Sequence, residues 1–166
     1  MTVVSVEFFR TLFDYAYWGR DRILAAAEAL TEAEFTRPCG LDYGSIRATL
    51  AHQLGSEVML LNRWQGAAGR LTEEDVPTPD RLRAAWQEQE QRVREFLARL
   101  SDAEMERSVQ YQTRSGATYS EILWQSMFQA TNHATQHRSE VALALTQMGH
   151  SPGYLDFIAY GRERSG

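Results

Sequence analysis

The sequence contains no lysine, since all 17 of its basic residues are arginines. This absence excludes Schiff-base chemistry, lysine nucleophiles and the P-loop lysine. Cysteine occurs once, at Cys39, so neither a disulfide within the chain nor a Cys-x-x-Cys redox motif can form. Because Cys39 stands in a loop-like stretch, RPCGLDYG, we interpret it as incidental rather than as a reactive thiol.

Acidic residues outnumber basic ones by 22 to 17, and long apolar runs are lacking. The net charge is −5, which argues against a nucleic-acid partner, because phosphate contacts need a basic face. No apolar run approaches the roughly 20 residues that a membrane span needs. The beginning of the chain, MTVVSVEFFRTLFDYAYW, carries an acid at Glu7 where a signal peptide would have basic residues. We therefore expect a cytoplasmic protein without a membrane or nucleic-acid partner.

Apolar residues at helical spacing cover most of the 166 residues, which are enough for one domain. The spacing predicts four long helices, with a short helical turn at the capping-box motif TEAE (31–34) after the first. The predicted helices run from about Ser5 to Leu30, Ser45 to Trp64, Thr78 to Leu100, and residue 118 to Gly149. This pattern predicts the all-α class and a single four-helix-bundle domain over residues 1–166.

A short stretch before the last helix departs from the helical pattern. Val109, Tyr111 and Thr113 alternate with polar residues and precede the turn-like RSGA (114–117). This alternation predicts a short extended segment or hairpin. The following TYSE (118–121) has the spacing of a capping box and predicts the start of the last helix there.

The stretch NHATQH (132–137) places two of the four histidines, His133 and His137, four residues apart. On a helical wheel they are about 40° apart and lie in the apolar stripe of the last helix, so both point into the predicted bundle. Two such imidazoles can converge on one metal ion. The alternative is a pair of hydrogen-bonded core histidines. Ala134 excludes the His-Glu-x-x-His motif of zinc proteases, which needs a glutamate there.

His52, in TLAHQLGSE of the second helix, is the candidate for a third ligand. Its neighbours on the helical wheel are mostly small, which would leave room for an ion, but the large apolar side chains lie on the opposite side. Periodicity therefore leaves open whether His52 faces the other two histidines. A site of three histidines would keep a coordination position for water or substrate, as catalytic sites do. Zinc is the default metal, and imidazole ligands alone do not exclude nickel, iron or manganese.

Several segments together resemble the DinB family of bacterial four-helix-bundle metalloproteins. They are DYAYW (14–18), SIRATLAHQLGSE (45–57), NHATQHRSE (132–140) and the tail SPGYLDFIAY (151–160). The resemblance implies an up-down-down-up bundle, often a homodimer, with a divalent metal held by His52, His133 and His137. The chain departs from the family pattern at Ala16, where asparagine is frequent, and at Gln136, where a further histidine is frequent.

Some members of that family transfer low-molecular-weight thiols such as bacillithiol or mycothiol. The resemblance thus implies a metal-dependent thiol S-transferase or hydrolase acting on small molecules, with a thiol as a cosubstrate. Glu140, Asn132 and Glu57 are candidates for residues that support the ligands or line the pocket. Glu140 is the best of them, because a residue three positions from His137 lies only about 60° away on the wheel. The alternative is a non-catalytic, stress-associated module for metal binding or dimerisation.

Overall fold

The computed structural model describes residues 4–113 and 115–165, and these are mostly helical. Within them lie six α-helices and one antiparallel pair of strands. The helices are α1 (Val6–Ala27), α2 (Glu32–Thr36), α3 (Ile46–Trp64), α4 (Pro79–Arg99), α5 (Leu123–Gln147) and α6 (Phe157–Arg164). The strands are β1 (Ser108–Gln112) and β2 (Thr118–Ile122). No helix in the described part of the chain has the length and apolar character that crossing a lipid bilayer requires.

Polar side chains set the starts of the helices, as the sequence predicts. Ser5 and Ser45 each accept a hydrogen bond from a backbone N–H in the first turn of α1 and α3. Thr78 does the same for α4, whose first residue is a proline. The predicted capping box of Thr31 and Glu34 is present in α2. These starts are therefore fixed by local hydrogen bonds.

The predicted start of the last long helix is wrong. TYSE (118–121) lies in β2, and α5 begins only at Leu123. The backbone of these residues pairs with β1, with Tyr119 opposite Tyr111 and Ser120 opposite Gln110. The strand ladder therefore overrides the local capping motif. The predicted hairpin is confirmed by β1 and β2, while Arg114 of the predicted turn lies outside the described residues.

Each of the four long helices packs against two others: α1 and α3 both contact α4 and α5. Two side-chain contacts in each pair of helices give the relative directions. Between α1 and α4 they are Asp14–Arg94 and Glu28–Arg83. Between α3 and α4 they are Glu57–Trp86 and Asn62–Arg92, and between α3 and α5 they are His52–His133 and Trp64–Ser126. Helix α1 is thus antiparallel to α4, α3 is parallel to α4, and α3 is antiparallel to α5. The last arrangement places the middle of α3 against the middle of α5.

The core between these helices contains a cluster of aromatic rings around Trp64, which is 2% exposed. Phe13 of α1 meets the Trp64 ring edge-on at 6.2 Å between centroids, and Phe96 of α4 lies 5.7 Å away on the same measure. The Trp64 indole N–H donates a hydrogen bond of 3.0 Å to Ser126 Oγ of α5. One side chain thus contacts all the other long helices.

Candidate metal centre

Three histidine side chains meet between α3 and α5. His52 Nε2 lies 3.1 Å from His133 Nε2, and His137 Nε2 lies 3.0 Å from His133 Nε2. One nitrogen atom from each ring falls within 4.8 Å of the other two. The structure therefore brings together the three histidines that the sequence singles out, including His52, whose direction periodicity left open.

The helices explain why these rings converge. His133 and His137 are one turn apart on α5, so both side chains leave the same face of that helix. Their ring centroids are 4.3 Å apart, and the rings are nearly perpendicular at 79°. Because the middle of α3 packs against the middle of α5, His52 reaches this pair from the facing helix.

Glu140 orients His137. The Nδ1 atom of His137 lies 2.7 Å from a carboxylate oxygen of Glu140, and an ionised carboxylate can only accept, so Nδ1 donates. In the neutral imidazole, this hydrogen bond fixes the tautomer and leaves a lone pair on Nε2, which faces the other two rings. Glu140 is thus the one predicted supporting residue that the structure places in contact with a histidine of the cluster.

The cluster favours neutral imidazoles. Burial, followed by the neighbouring His137 and His52, lowers the pKa of His133 from 6.5 to about 4. Burial also lowers the pKa of His52, again with a contribution from His137. At neutral pH both side chains are therefore uncharged and offer nitrogen lone pairs, which is the form that metal ligands need.

The donor set fits a divalent cation. The three Nε2 atoms face one another, and His133 Nε2 can donate a proton to at most one of its two histidine neighbours. His52 Nε2 also lies 3.5 Å from the hydroxyl of Ser56. A cation among the three nitrogens would satisfy all of them at once. In the described part of the chain, no carboxylate or thiol joins this group as a fourth ligand. Imidazole nitrogens suit zinc, nickel, copper and iron.

Tyr43 covers the cluster from the loop before α3, and sequence reasoning missed it. Its ring stacks on the His52 ring at 3.7 Å between centroids and an angle of 17°. It also meets the edge of the His137 ring at 5.5 Å. A backbone pairing between Leu41 and Gly44 closes the loop that carries it. No periodic signal marks a loop residue, so only the three-dimensional arrangement identifies Tyr43.

The other two predicted supporting residues lie elsewhere. Glu57 sits on another side of α3, where it accepts hydrogen bonds from Tyr17 of α1 and Trp86 of α4. Burial raises the pKa of Glu57, and these hydrogen bonds offset part of that increase. Asn132 is exposed on α5 and makes no side-chain hydrogen bond within the described residues. The structure thus does not bring Glu57 or Asn132 to the histidines.

The fold and the site together define a class: mostly helical proteins in which two antiparallel helices gather three histidines into a candidate metal centre. The model of the DinB family matches residues 2–164, which is nearly the whole chain. The chain therefore belongs to the DinB family. No curated protein matches it.

Proposed function

We propose that the chain is a metal-dependent enzyme acting on small molecules, of the thiol S-transferase or hydrolase type. His52, His133 and His137 would hold one divalent cation, with zinc as the first expectation and nickel as the second. The observation that carries this proposal is the convergence of three imidazole nitrogens: two of their separations are near 3 Å, and the third is within 4.8 Å. Two nitrogens bound tetrahedrally to one zinc ion at about 2.0–2.1 Å would be about 3.3 Å apart, so small shifts of the rings suffice.

We infer that the four long helices form a single four-helix-bundle domain in the up-down-down-up order. This arrangement is supported by the directions of the helices: α3 and α4 run together, and each is antiparallel to a helix of the pair α1 and α5. It is also supported by the membership in the DinB family. In such bundles, ligands commonly come from facing helices, as the histidines of α3 and α5 do here.

In this proposal the residues of the chain hold and orient the reacting groups. When bound, the divalent cation would act as a Lewis acid that lowers the pKa of a thiol or water, supplying a nucleophile at neutral pH. Glu140 holds the proton of His137 at Nδ1, which keeps Nε2 available as a ligand. Tyr43 lies flat on His52, restricts its rotation and shields one side of the cluster from water. Three protein ligands leave a position for a substrate.

The test is metal content followed by turnover, on protein purified without a histidine tag. After incubation with zinc or nickel, mass spectrometry should find about one ion per chain. An electrophile should then react in the presence of a low-molecular-weight thiol, stop reacting after chelation, and recover when zinc is restored. Turnover without the thiol would indicate a hydrolase. Bound metal without turnover of the electrophile would favour the non-catalytic alternative. Absence of metal binding would contradict the enzyme and leave only a dimerisation module.

A separate observation favours association of two copies of the chain, with or without catalysis. The segment after α5 exposes three large apolar side chains: Tyr154 is 83% exposed, Ile158 66% and Phe157 47%. Neighbouring exposed apolar groups of this kind mark interaction surfaces more often than isolated ones do. We propose that this segment forms the contact of a homodimer.

Light scattering after gel filtration tests the homodimer. The wild-type chain of 18.9 kDa should elute with about twice that mass, and Ile158→Asp should elute as a monomer, because a buried unpaired carboxylate opposes association. Gln87→Asp is the matched control, since it adds the same charge at an exposed position on α4. A monomeric wild type, or an Ile158→Asp variant that stays dimeric, would sink the proposed contact.

A further inference from the structure

A cavity of about 830 Å³ begins at His52 and extends along α3. One wall is the half-buried side of α3 that carries His52. The other walls are the loop that follows α3, and strand β1 with the residue after it. A volume of this size accommodates a small-molecule ligand. Because His52 belongs both to the cavity wall and to the histidine cluster, a molecule in the cavity has one end at the candidate metal centre.

The α3 wall of the cavity carries a row of side chains along one face of the helix. His52, Ser56, Met59 and Arg63 follow at spacings of three or four residues, so they lie along one face of the helix. At 1.5 Å per residue, the Cα atoms of His52 and Arg63 are about 16 Å apart. The cavity is therefore elongated, with imidazoles at one end and a guanidinium group at the other.

Two contacts between the loop and α3 fix the position of this cavity wall, one near His52 and one near Arg63. A Cβ atom on Gly55 would lie 2.7 Å from the backbone oxygen of Leu71, so the loop can approach α3 only where there is no side chain. Asn62 donates a hydrogen bond of 3.1 Å to the backbone oxygen of Gly69 and in turn accepts one from Arg92 of α4. The loop is thus attached to the helix at two points.

The charge of the cavity is opposite to that of the chain. Its charged lining residues are two arginines, Arg63 and Arg70, in a protein with a net charge of −5. Neither arginine forms an ion pair with any residue that the structure describes, whereas seven other arginines do. The Arg63 guanidinium lies over the Tyr111 ring at 3.8 Å, and Tyr111 donates its hydroxyl proton to Glu121. Arg63 is therefore held in place and retains its donors.

We propose that the cavity binds an elongated small molecule whose anionic group, a carboxylate or a phosphate, is held by Arg63 and Arg70 while its reactive end lies at the three histidines. Guanidinium groups match both anions with paired N–H donors. The inference rests on the proposed function, because it assigns the substrate class of that site. It adds that the substrate is recognised at a distance from the reacting atoms, along α3.

The test compares probes that differ only in charge and length. They are ω-mercaptocarboxylic acids of increasing chain length, the ω-mercaptoalcohols of the same lengths, and the phosphate monoesters of those alcohols. Calorimetry measures the affinity of each probe for the zinc-loaded and the chelator-treated protein. The proteins are the wild type, the double variant Arg63→Gln/Arg70→Gln and the control Arg81→Gln, which removes the same charge at an exposed site on α4.

We expect the wild type and Arg81→Gln to bind the anionic probes at least about tenfold more tightly than the alcohols, since hydrogen bonds to a charged group are stronger than those between neutral groups. The preference should appear only when the chain is long enough to reach from His52 to Arg63. It should disappear in the double variant, while the affinity for the alcohols stays at the wild-type value, which also shows that the variant is folded. Comparing acids with phosphate esters identifies the preferred anion.

Failure of this inference can be told apart from failure of the proposed function. A wild type without any preference for anionic probes, or a preference unchanged in the double variant, overturns the inference while zinc binding stands. A chain that binds no zinc yet prefers the anionic probes through the two arginines overturns the metal-dependent function, and the cavity remains an anion site.

Discussion

Replacing His137 by alanine is expected to lower the affinity of the chain for zinc by at least about 100-fold. The binding free energy of zinc at structural sites with four ligands is about 10–16 kcal/mol, so each ligand contributes about 3 kcal/mol. Losing one ligand therefore raises the dissociation constant about 100-fold. His137 is only 3% exposed, so water cannot easily replace the lost imidazole. Titration against a chromophoric zinc chelator measures the affinity.

His52→Ala should cause a loss of similar size, because both Nε2 atoms lie at the same distance, near 3 Å, from His133 Nε2. Zinc retained by His52→Ala but lost by His137→Ala would make His52 a part of the cavity wall only and would contradict the three-histidine site. Circular dichroism of each variant separates loss of a ligand from loss of the fold.

A graded effect is expected from Glu140→Gln. The amide oxygen can still accept the proton of His137 Nδ1, but it lacks the negative charge that makes the imidazole a stronger ligand. Changes to such supporting residues typically cost 10–100-fold in metal affinity, and we expect about tenfold here. Glu88→Gln, at an exposed position on α4, removes the same charge and should have no effect. Equal effects of the two substitutions would show that Glu140 acts only through the overall charge.

Helical periodicity predicts part of this site and leaves another part open, for a physical reason. His133 and His137 lie in a clear apolar stripe of α5, so their inward direction can be predicted. His52 lies opposite the large apolar residues of its helix. Those residues are Ile46, Leu50, Leu54 and Leu61, and all of them are buried. The His52 side of α3 is half-buried and carries mostly small side chains, because it borders both α5 and a cavity. The amphipathic pattern of α3 therefore does not identify the side that faces α5.

Supporting residues are harder to predict, because they depend on which helix packs against which face. Glu57 follows His52 by five residues, which turns it about 140° away, and there it meets α1 and α4 instead of the histidines. Tyr43 reaches the cluster only through the fold of its loop. Glu140 is predictable because it lies on the same helix as His137, three residues on.

The start of the last helix likewise depends on contacts that are distant in the sequence. A capping box is a local motif, and TYSE satisfies its spacing. Its backbone N–H and C=O groups, however, find partners in β1, which precedes it by ten residues or so. Local signals place α1, α3 and α4 correctly, because nothing else competes for their first turns.

Trp64→Ala is expected to lower the free energy of unfolding by about 3–5 kcal/mol, the range for removing a large buried aromatic side chain. The indole is 2% exposed and fills the space between Phe13 and Phe96, so its removal leaves a cavity that three helices must close. It also leaves the hydroxyl of Ser126 without its donor. Urea denaturation followed by circular dichroism measures the change.

Two further variants separate packing from the hydrogen bond. Trp64→Phe keeps part of the ring but no N–H, so it should cost less than Trp64→Ala, and adding Ser126→Ala should recover about 1 kcal/mol by removing the unpaired hydroxyl. Trp18→Ala serves as the control for the residue type, because this half-buried indole donates to the exposed Glu163 and should cost less than Trp64→Ala. A loss below about 1 kcal/mol in Trp64→Ala would contradict the central position of Trp64.

Since Trp64 joins α3 to α5 through Ser126, its loss should also weaken zinc binding, because the same two helices carry the histidines.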